Sequence, residues 1–453
     1  MATDRAVPLS APGGLAALAA VDAARRIADG TLAALDYADA LLARIDATEP
    51  RLHAWQHLDP AHVRAQARAI DARRAAGEAC GPAIGLPVGL KDIVDTRDLP
   101  TENGTTLHAG RQPAHDATLA RRLRAAGALV MGKTVTTELA TYAPGPTRNP
   151  HDPAHTPGGS SSGSAAAVAA GQVPLAVGTQ TNGSVIRPAS FCGVVGYKPT
   201  FGWIGRSGVL TQSPSFDQIG VFARSVADAA LLAEVLVGDD PDDGATQLRA
   251  APPLHATAMQ TPPTPPRLGW VPTPFWDRVA PDAALAFDAL RRSLGGHVAD
   301  GTLPAQAAQV VDWHRDVMEA EIAGSYHDLY ERGRERLSAS LRGQIERGRQ
   351  VSAVAHRFAL AGIARFADDL APAFERFDAL LTPAAPGEAP AGLASTGDPI
   401  MCTLWTATGL PAVTLPLLRG AHGLPIGVQL VARRGGDARL LRTAQWLWQC
   451  CAR

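Results

Sequence analysis

The chain has almost no lysine. Of its 42 basic residues only three are lysines, Lys91, Lys133 and Lys198. It has no surplus of either charge, since 42 basic against 43 acidic side chains leave a net −1. A balanced chain exerts no broad pull on a polyanion, so nucleic acid is not an expected partner. It lacks apolar runs of about 18 residues, the length at which a membrane-spanning helix becomes a candidate, so no membrane span is expected. Cysteine is sparse and odd in number: the five at Cys80, Cys192, Cys402, Cys450 and Cys451 do not make a disulfide framework. The vicinal pair Cys450-Cys451 suits the packing of a terminal helix better than redox work. Near the N-terminus the apolar patch Leu15–Val21 follows Asp4 and Arg5 and continues as an amphipathic pattern, which argues against a signal peptide. The expected location is the cytoplasm. Much alanine and arginine with so little lysine fits a GC-rich bacterial source.

The 453 residues suffice for two or three average domains, although large α/β sheets often run as one. We read 1–453 as a single unit with four parts: a helical N-terminal part (1–80), a core (81–235), a variable insert (240–310), and a helical region with returning strands (311–453). In the first part, apolar residues recur at three and four from Leu15 to Arg74. Ile84–Val94 is strand-rich, Thr118–Ala128 helical, and Leu129–Gly132 a strand. The breakers Gly238–Gly244 and Pro262–Pro266 flank the insert. His314–Leu370 is mostly helical, Leu381–Gly392 a Pro/Ala loop, Val413–Leu417 and Ile426–Val431 strands, and Gly436–Cys450 a final amphipathic helix. There is no internal repeat.

Two glycine-serine knots dominate what is present. The first is Gly158-Gly159-Ser160-Ser161-Ser162-Gly163-Ser164, which opens the helix-forming stretch Ala165–Ala170. The second, Thr181-Asn182-Gly183-Ser184, follows a short apolar strand pattern, Val173–Val177. Glycine lets backbone N–H groups face open space, and serine places hydroxyls beside them. A hydroxyl nucleophile next to converging N–H donors is what acyl transfer requires. A flexible linker would not be flanked by a strand and a good helix former. A phosphate loop would carry Gly-Lys-Ser/Thr, but here Gly163-Ser164 is followed by Ala165. Gly159-Ser160-Ser161-Ser162-Gly163 does fit the nucleophile-elbow pattern. That reading would make Ser161 the nucleophile, with His356 or His422 as its base.

Lysine scarcity supplies the partner. Arginine keeps its proton in proteins, whereas a desolvated lysine can lose it. Lys91 lies in the apolar, Gly/Pro-interrupted segment Ile84–Asp95, where burial favours the neutral base. Asp92 and Asp95 flank it. Lys133 and Lys198 are equally compatible with stems packed along apolar surface.

The stretches GLPVGLKDIVDT (Gly85–Thr96), GPTRNP (Gly145–Pro150), PGGSSSGSAAAVAAG (Pro157–Gly171), GTQTNGSVIRPASFC (Gly178–Cys192) and GVVGYKPT (Gly193–Thr200), with TGLPA (Thr408–Ala412) and GLPIGVQL (Gly423–Leu430), resemble the amidase signature family over about Leu32 to Leu441. The resemblance implies an α/β fold, a single large mixed β-sheet covered by helices on both faces. It implies hydrolysis of the C–N bond of a small amide without metal or cofactor. Lys91 matches the general base, Ser160 the bridging serine that follows a cis peptide bond, and Ser184 the acyl-accepting nucleophile. The N–H groups of Thr181, Asn182, Gly183 and Ser184 match the oxyanion hole.

Three departures stand out. Gln180 replaces the usual acidic residue and Asn182 the usual glycine, which leaves open the hydrogen bonding behind the nucleophile and the shape of the loop. Arg187 stands three residues after Ser184 rather than two, and with His155–Ser164 this resembles the malonamidase branch. Arg187 could hold a substrate carboxylate through paired hydrogen bonds, making the substrate an acidic monoamide. Equally, it could tie the loop to Asp92 or Asp217. A glutaminase-type subunit of a tRNA-dependent amidotransferase, or a hydrolase of a urea-like C–N substrate, is the alternative. The segment from Glu138 to Pro157 is several residues shorter than in such glutaminase subunits. A homodimer is compatible with the sequence. A metal at the His151/His155 pair is disfavoured because Pro153 breaks the helix that would align them.

Overall fold

The computed structural model describes residues 9–248, 250 and 252–451. Asp4 and Arg5, on which the signal-peptide reading drew, lie outside them. Eleven strands form one mixed sheet: β1 (Trp55–His57), β2 (Pro87–Lys91), β3 (Leu129–Thr134), β4 (Leu175–Gln180), β5 (Val195–Lys198), β6 (Gln218–Ala223), β7 (Leu268–Trp270), β8 (Val298–Asp300), β9 (Ala379–Pro383), β10 (Ala412–Arg419) and β11 (Pro425–Val431). Their order is β1-β3-β2-β4-β6-β5-β10-β11-β9-β7-β8. Helices cover both sides, as the resemblance implied.

The centre of the sheet explains its own sequence. β2 pairs in parallel with both β3 and β4, and parallel neighbours need crossover connections. The helices Thr118–Ala125 and Ser162–Ala169 lie between these strands. β2, β3 and β4 are buried along their whole length, which is why they read as near-continuous apolar runs. Gly163 lets the Ser162–Ala169 helix start against the end of β3. A Cβ there would lie 2.2 Å from the Ala54 carbonyl oxygen and 2.4 Å from the Val135 nitrogen.

Several elements differ from the sequence reading, each for a local reason. The N-terminal helical stretch is divided into Ala20–Ala28, Ala34–Leu52 and Pro60–Ala75, broken at Gly30 (φ +79) and by β1. The strand expected at Val173–Val177 runs from Leu175 to Gln180, after Pro174, which has no N–H for a ladder. Residues 240–310 supply two strands, β7 and β8, which pair in parallel with each other, while β7 also pairs in parallel with β9. β9 takes in the first three residues, 381–383, of the expected Pro/Ala loop, its apolar run Ala379–Leu381 buried between β11 and β7. Cys450 and Cys451 are exposed at the end of the last helix rather than packed.

The helices Ala307–Ser325, Ala339–Gly348 and Ala353–Asp369 build a second apolar core against Trp405, through Trp313, Ile322, Ile345 and Phe366. Ser338 and Ser352 cap two of them by accepting from the N–H groups of Leu341 and Ala355. This helical layer borders the second glycine-serine knot. No helix among the described residues is long and apolar enough to cross a membrane.

Candidate active site

Lys91 ends β2 and Gln180 ends the adjacent parallel β4, so the site forms at the carboxyl ends of parallel strands, where open α/β sheets commonly bind ligands. Lys91 Nζ lies 2.7 Å from Ser160 Oγ and donates to Thr179 Oγ1 at 2.8 Å. It is wholly buried. Burial drives its pKa down from 10.5 to about 7, only partly offset by the charge of Asp217. The amine is therefore neutral in a large fraction of molecules at neutral pH.

Ser160 follows a cis Gly159–Ser160 peptide. Ser184 is partly exposed. It sits in the turn between β4 and the short Ile186–Cys192 helix. The guanidinium of Arg187, on that helix, donates through Nη2 to the Gly159 carbonyl at 2.7 Å and to Thr396 Oγ1 at 3.1 Å. The segment after Ser184 is thus tied to the peptide before Ser160. Gly183 has no room for a side chain, because a Cβ would lie 2.9 Å from Pro399 Cβ and 3.3 Å from Cys402 Sγ.

The departures acquire reasons. Gln180 Oε1 accepts from the N–H groups of Val185 at 2.8 Å and Ile186 at 3.0 Å, doing at the helix start what a carboxylate would do there. Its amide nitrogen donates to Thr406 Oγ1 at 2.9 Å. The Asn182 side chain donates to Tyr142 Oη and accepts from Thr403 Oγ1. Both tethers hold the loop from outside.

The two roles weighed for Arg187 separate here. Asp92 pairs with Lys133 at 3.7 Å, and Asp217 accepts from Thr181 Oγ1 at 2.6 Å and from two backbone N–H groups. Neither reaches Arg187. Its Nε and Nη1 are buried without a hydrogen-bond partner. Arg187 also acts electrostatically on Tyr142, which with Asn182, His314, Asp398 and Thr403 lines a cavity of about 240 Å³. A second cavity of about 300 Å³ meets the loop at Thr179, Thr181 and Asp217.

The other candidates fall away. Ser161 is buried, with its hydroxyl donating to the Thr179 carbonyl and accepting from the Thr179 N–H. His356 faces Glu321 and His422 faces Glu388, so the elbow reading has no base. His151 bonds the Cys192 carbonyl and His155 faces Asp152, so they do not share a ligand. His57, Asp92 and Glu102 offer ligand atoms within 4.8 Å of one another. However, Lys133 already supplies the cation beside Asp92. Sequence reasoning missed Thr179, Tyr142, His314, Thr396, Thr403 and Thr406. Thr179 was within reach, being one residue from the second knot's acidic position. Tyr142 lies in the short segment before the first knot, and the others lie far along the chain, none of them in a motif.

Known proteins resemble this chain along most of its length. The family profile described as Amidase matches residues 36–441. The A chain of a glutamyl-tRNA(Gln) amidotransferase from Synechococcus sp. (strain WH7803) is 36% identical over 93% of this chain and 94% of its own length. A solved structure of a vestigial protein complex, described as revealing the evolutionary origins of an s-triazine catabolic enzyme, superposes with a TM-score of 0.89. It is 31% identical, over 95% of this chain and 98% of the other. The peptide amidase of Stenotrophomonas maltophilia gives 0.84 at 28% identity, over 96% of each. These relatives include amidotransferase components and do not single out malonamidases. They also correct one expectation. Net charge argued against nucleic acid as a partner, yet the Synechococcus relative carries a tRNA in its name. A whole-chain charge averages over the surface and is blind to a polyanion handled within an assembly.

Proposed function

The chain belongs to the amidase signature family of C–N hydrolases, and on that premise we propose that it cleaves a small amide whose acyl part carries a carboxylate. The observation that carries this reading is a buried, near-neutral lysine against a serine, Lys91 Nζ to Ser160 Oγ at 2.7 Å. Neutral Lys91 takes the Ser160 proton, and Ser160 takes that of Ser184. Ser184 Oγ attacks the amide carbonyl, and N–H groups of Thr181, Asn182, Gly183 and Ser184 receive the oxyanion. The relay returns a proton to the leaving nitrogen, which departs as ammonia or amine. Water, deprotonated through the same relay, then releases the acid. Arg187 Nη1, unpartnered in the protein, donates to the substrate carboxylate.

Two members of this class fit. Glutamine is favoured by the name shared by relatives such as that of Synechococcus, with the chain as the ammonia-releasing component of a tRNA-dependent amidotransferase. A malonamate-like monoamide is favoured by the position of Arg187, three residues after Ser184 in the first turn of the Ile186–Cys192 helix. The test is ammonia release by the purified chain from glutamine, malonamate, neutral amides of equal size and a urea-like compound, with and without amidotransferase partner proteins and tRNA. Release from malonamate by the chain alone supports the free hydrolase. Release from glutamine only with partners supports the amidotransferase role. Equal rates on neutral and acidic amides would sink the carboxylate pocket.

A further inference from the structure

Three successive carbonyls of the second knot are held from outside it, and two of the holders come from elements remote in sequence. His314 Nε2 lies 2.9 Å from the Thr181 carbonyl oxygen. That oxygen can only accept, so Nε2 carries the proton. Thr406 Oγ1 donates to the Asn182 carbonyl. The Arg187 N–H donates to the Gly183 carbonyl at 3.0 Å, as the first turn of its helix. In a trans peptide the C=O of one residue and the N–H of the next point in opposite directions. Fixing these three carbonyls therefore aims the N–H groups of Asn182, Gly183 and Ser184 to the other side. None of those three N–H groups is engaged by another described residue.

We infer that His314 and Thr406 are positioning residues that aim the oxyanion donors, with Gln180 directing the Thr406 proton. This rests on the Ser184 mechanism proposed above. The Gln180 amide nitrogen donates to Thr406 Oγ1 at 2.9 Å, so the threonine hydroxyl accepts there and keeps its own proton for the carbonyls in reach, the nearer that of Asn182 and the farther that of Cys402 at 3.1 Å. An acidic residue at 180 would accept from Val185 and Ile186 equally well but could not donate to Thr406. That gives glutamine at this position a purpose in this chain.

His314 is fixed in turn. Its ring stacks on Phe216 with centroids 4.5 Å apart and 23° between planes. Glu321, two turns further along the same helix face, accepts from the hydroxyls of Ser213 and Ser215 and so anchors the loop that carries Phe216. Full burial lowers the His314 pKa to about 4, so the ring stays neutral across the working range and adds no charge beside the oxyanion. A donor without charge suits a group whose task is aim.

The experiment compares His314→Phe with His314→Gln, and Thr406→Val with Thr406→Ser. Three readouts are taken: the rate at which a fluorophosphonate labels Ser184, kcat and KM on the best amide, and Tm. Phenylalanine and valine keep volume and lose the donor, while glutamine and serine restore one. Labelling and kcat should fall tenfold to a hundredfold in His314→Phe and Thr406→Val, with KM changed less than threefold, and recover most of that in His314→Gln and Thr406→Ser. A loss of Tm with labelling and kcat unchanged would overturn the inference, as would a change confined to KM. If one variant fails to fold, the other residue's pair decides. If Ser184 of the parent is not labelled at all, with or without amidotransferase partner proteins, the proposed mechanism itself is wrong and the positioning role falls with it.

Discussion

Lys91 and Lys133 occupy adjacent parallel strands, where Leu90 pairs with Lys133 and Lys91 with Thr134. One step out of register, the two side chains leave opposite faces of the sheet. Both are fully buried, and burial depresses both. Their surroundings then diverge. Lys133 donates to the Val94 carbonyl and to Thr101 Oγ1 and faces the Asp92 carboxylate at 3.7 Å. Asp92 pulls the lysine back toward its charged form. Among the described residues Lys91 hydrogen-bonds the hydroxyls of Ser160 and Thr179 and pairs with no carboxylate, Asp217 acting on it only through its charge. A carboxylate neighbour turns a buried amine into a strut. Hydroxyl neighbours leave it free to exchange a proton with one of them.

The sharpest way to break this contrast is to remove each amine. Lys91→Ala or Ser184→Ala should lower amide hydrolysis by roughly a thousandfold or more, since members of a nucleophile relay act as a unit. Steady-state ammonia release measures it, and a tenfold loss would be too small for the account. Lys133→Met should act on stability instead. Stranding Asp92 inside the protein costs about 3–5 kcal/mol, readable by urea denaturation, and adding Asp92→Leu should recover most of it.

Lys91→Met should cost no stability at neutral pH. The sign follows from proton binding. Between pH about 7 and 10.5 the unfolded lysine holds a proton that the folded one does not, so this group makes parent stability rise with pH across that window. Lys91→Met should take this group's share out of the slope while abolishing activity, leaving the share of Lys198, whose pKa burial likewise lowers to about 7. A slope unchanged by Lys91→Met would mean that Lys91 is charged when folded.

Arg187 offers a smaller and more selective effect. With two donors unpaired, Arg187→Ala should raise KM for an acidic amide about tenfold to a hundredfold, the usual worth of charge-assisted hydrogen bonds. A neutral amide of the same size should change by less than threefold. Parallel changes would return Arg187 to a purely structural role through Gly159 and Thr396.

Much of this site was legible because its chemistry is local. Lys91 stood out through the rarity of lysine, and Ser160 and Ser184 through glycines that the packing demands, as at Gly163 and Gly183. The central strands were visible because burial on both faces leaves an apolar run. What could not be read depends on contacts across the chain. His314 meets Thr181 across 133 residues and Thr406 meets Asn182 across 224, and neither carries a motif. Arg187 was visible as an arginine, but its rival partners Asp92 and Asp217 could be dismissed only once each was seen engaged elsewhere. β9 was hidden among prolines, and β7 and β8 are three-residue strands, too short for any periodicity to show.

Whether Lys91 acts as a neutral base on Ser160 can be read from the pH dependence of Ser184 labelling with a fluorophosphonate, in the parent and in Lys91→Ala. The parent rate should rise with pH, reach half its plateau near the depressed lysine pKa of about 7, and lose that limb in Lys91→Ala. A parent rate flat across this range, or the same limb retained without Lys91, would contradict it.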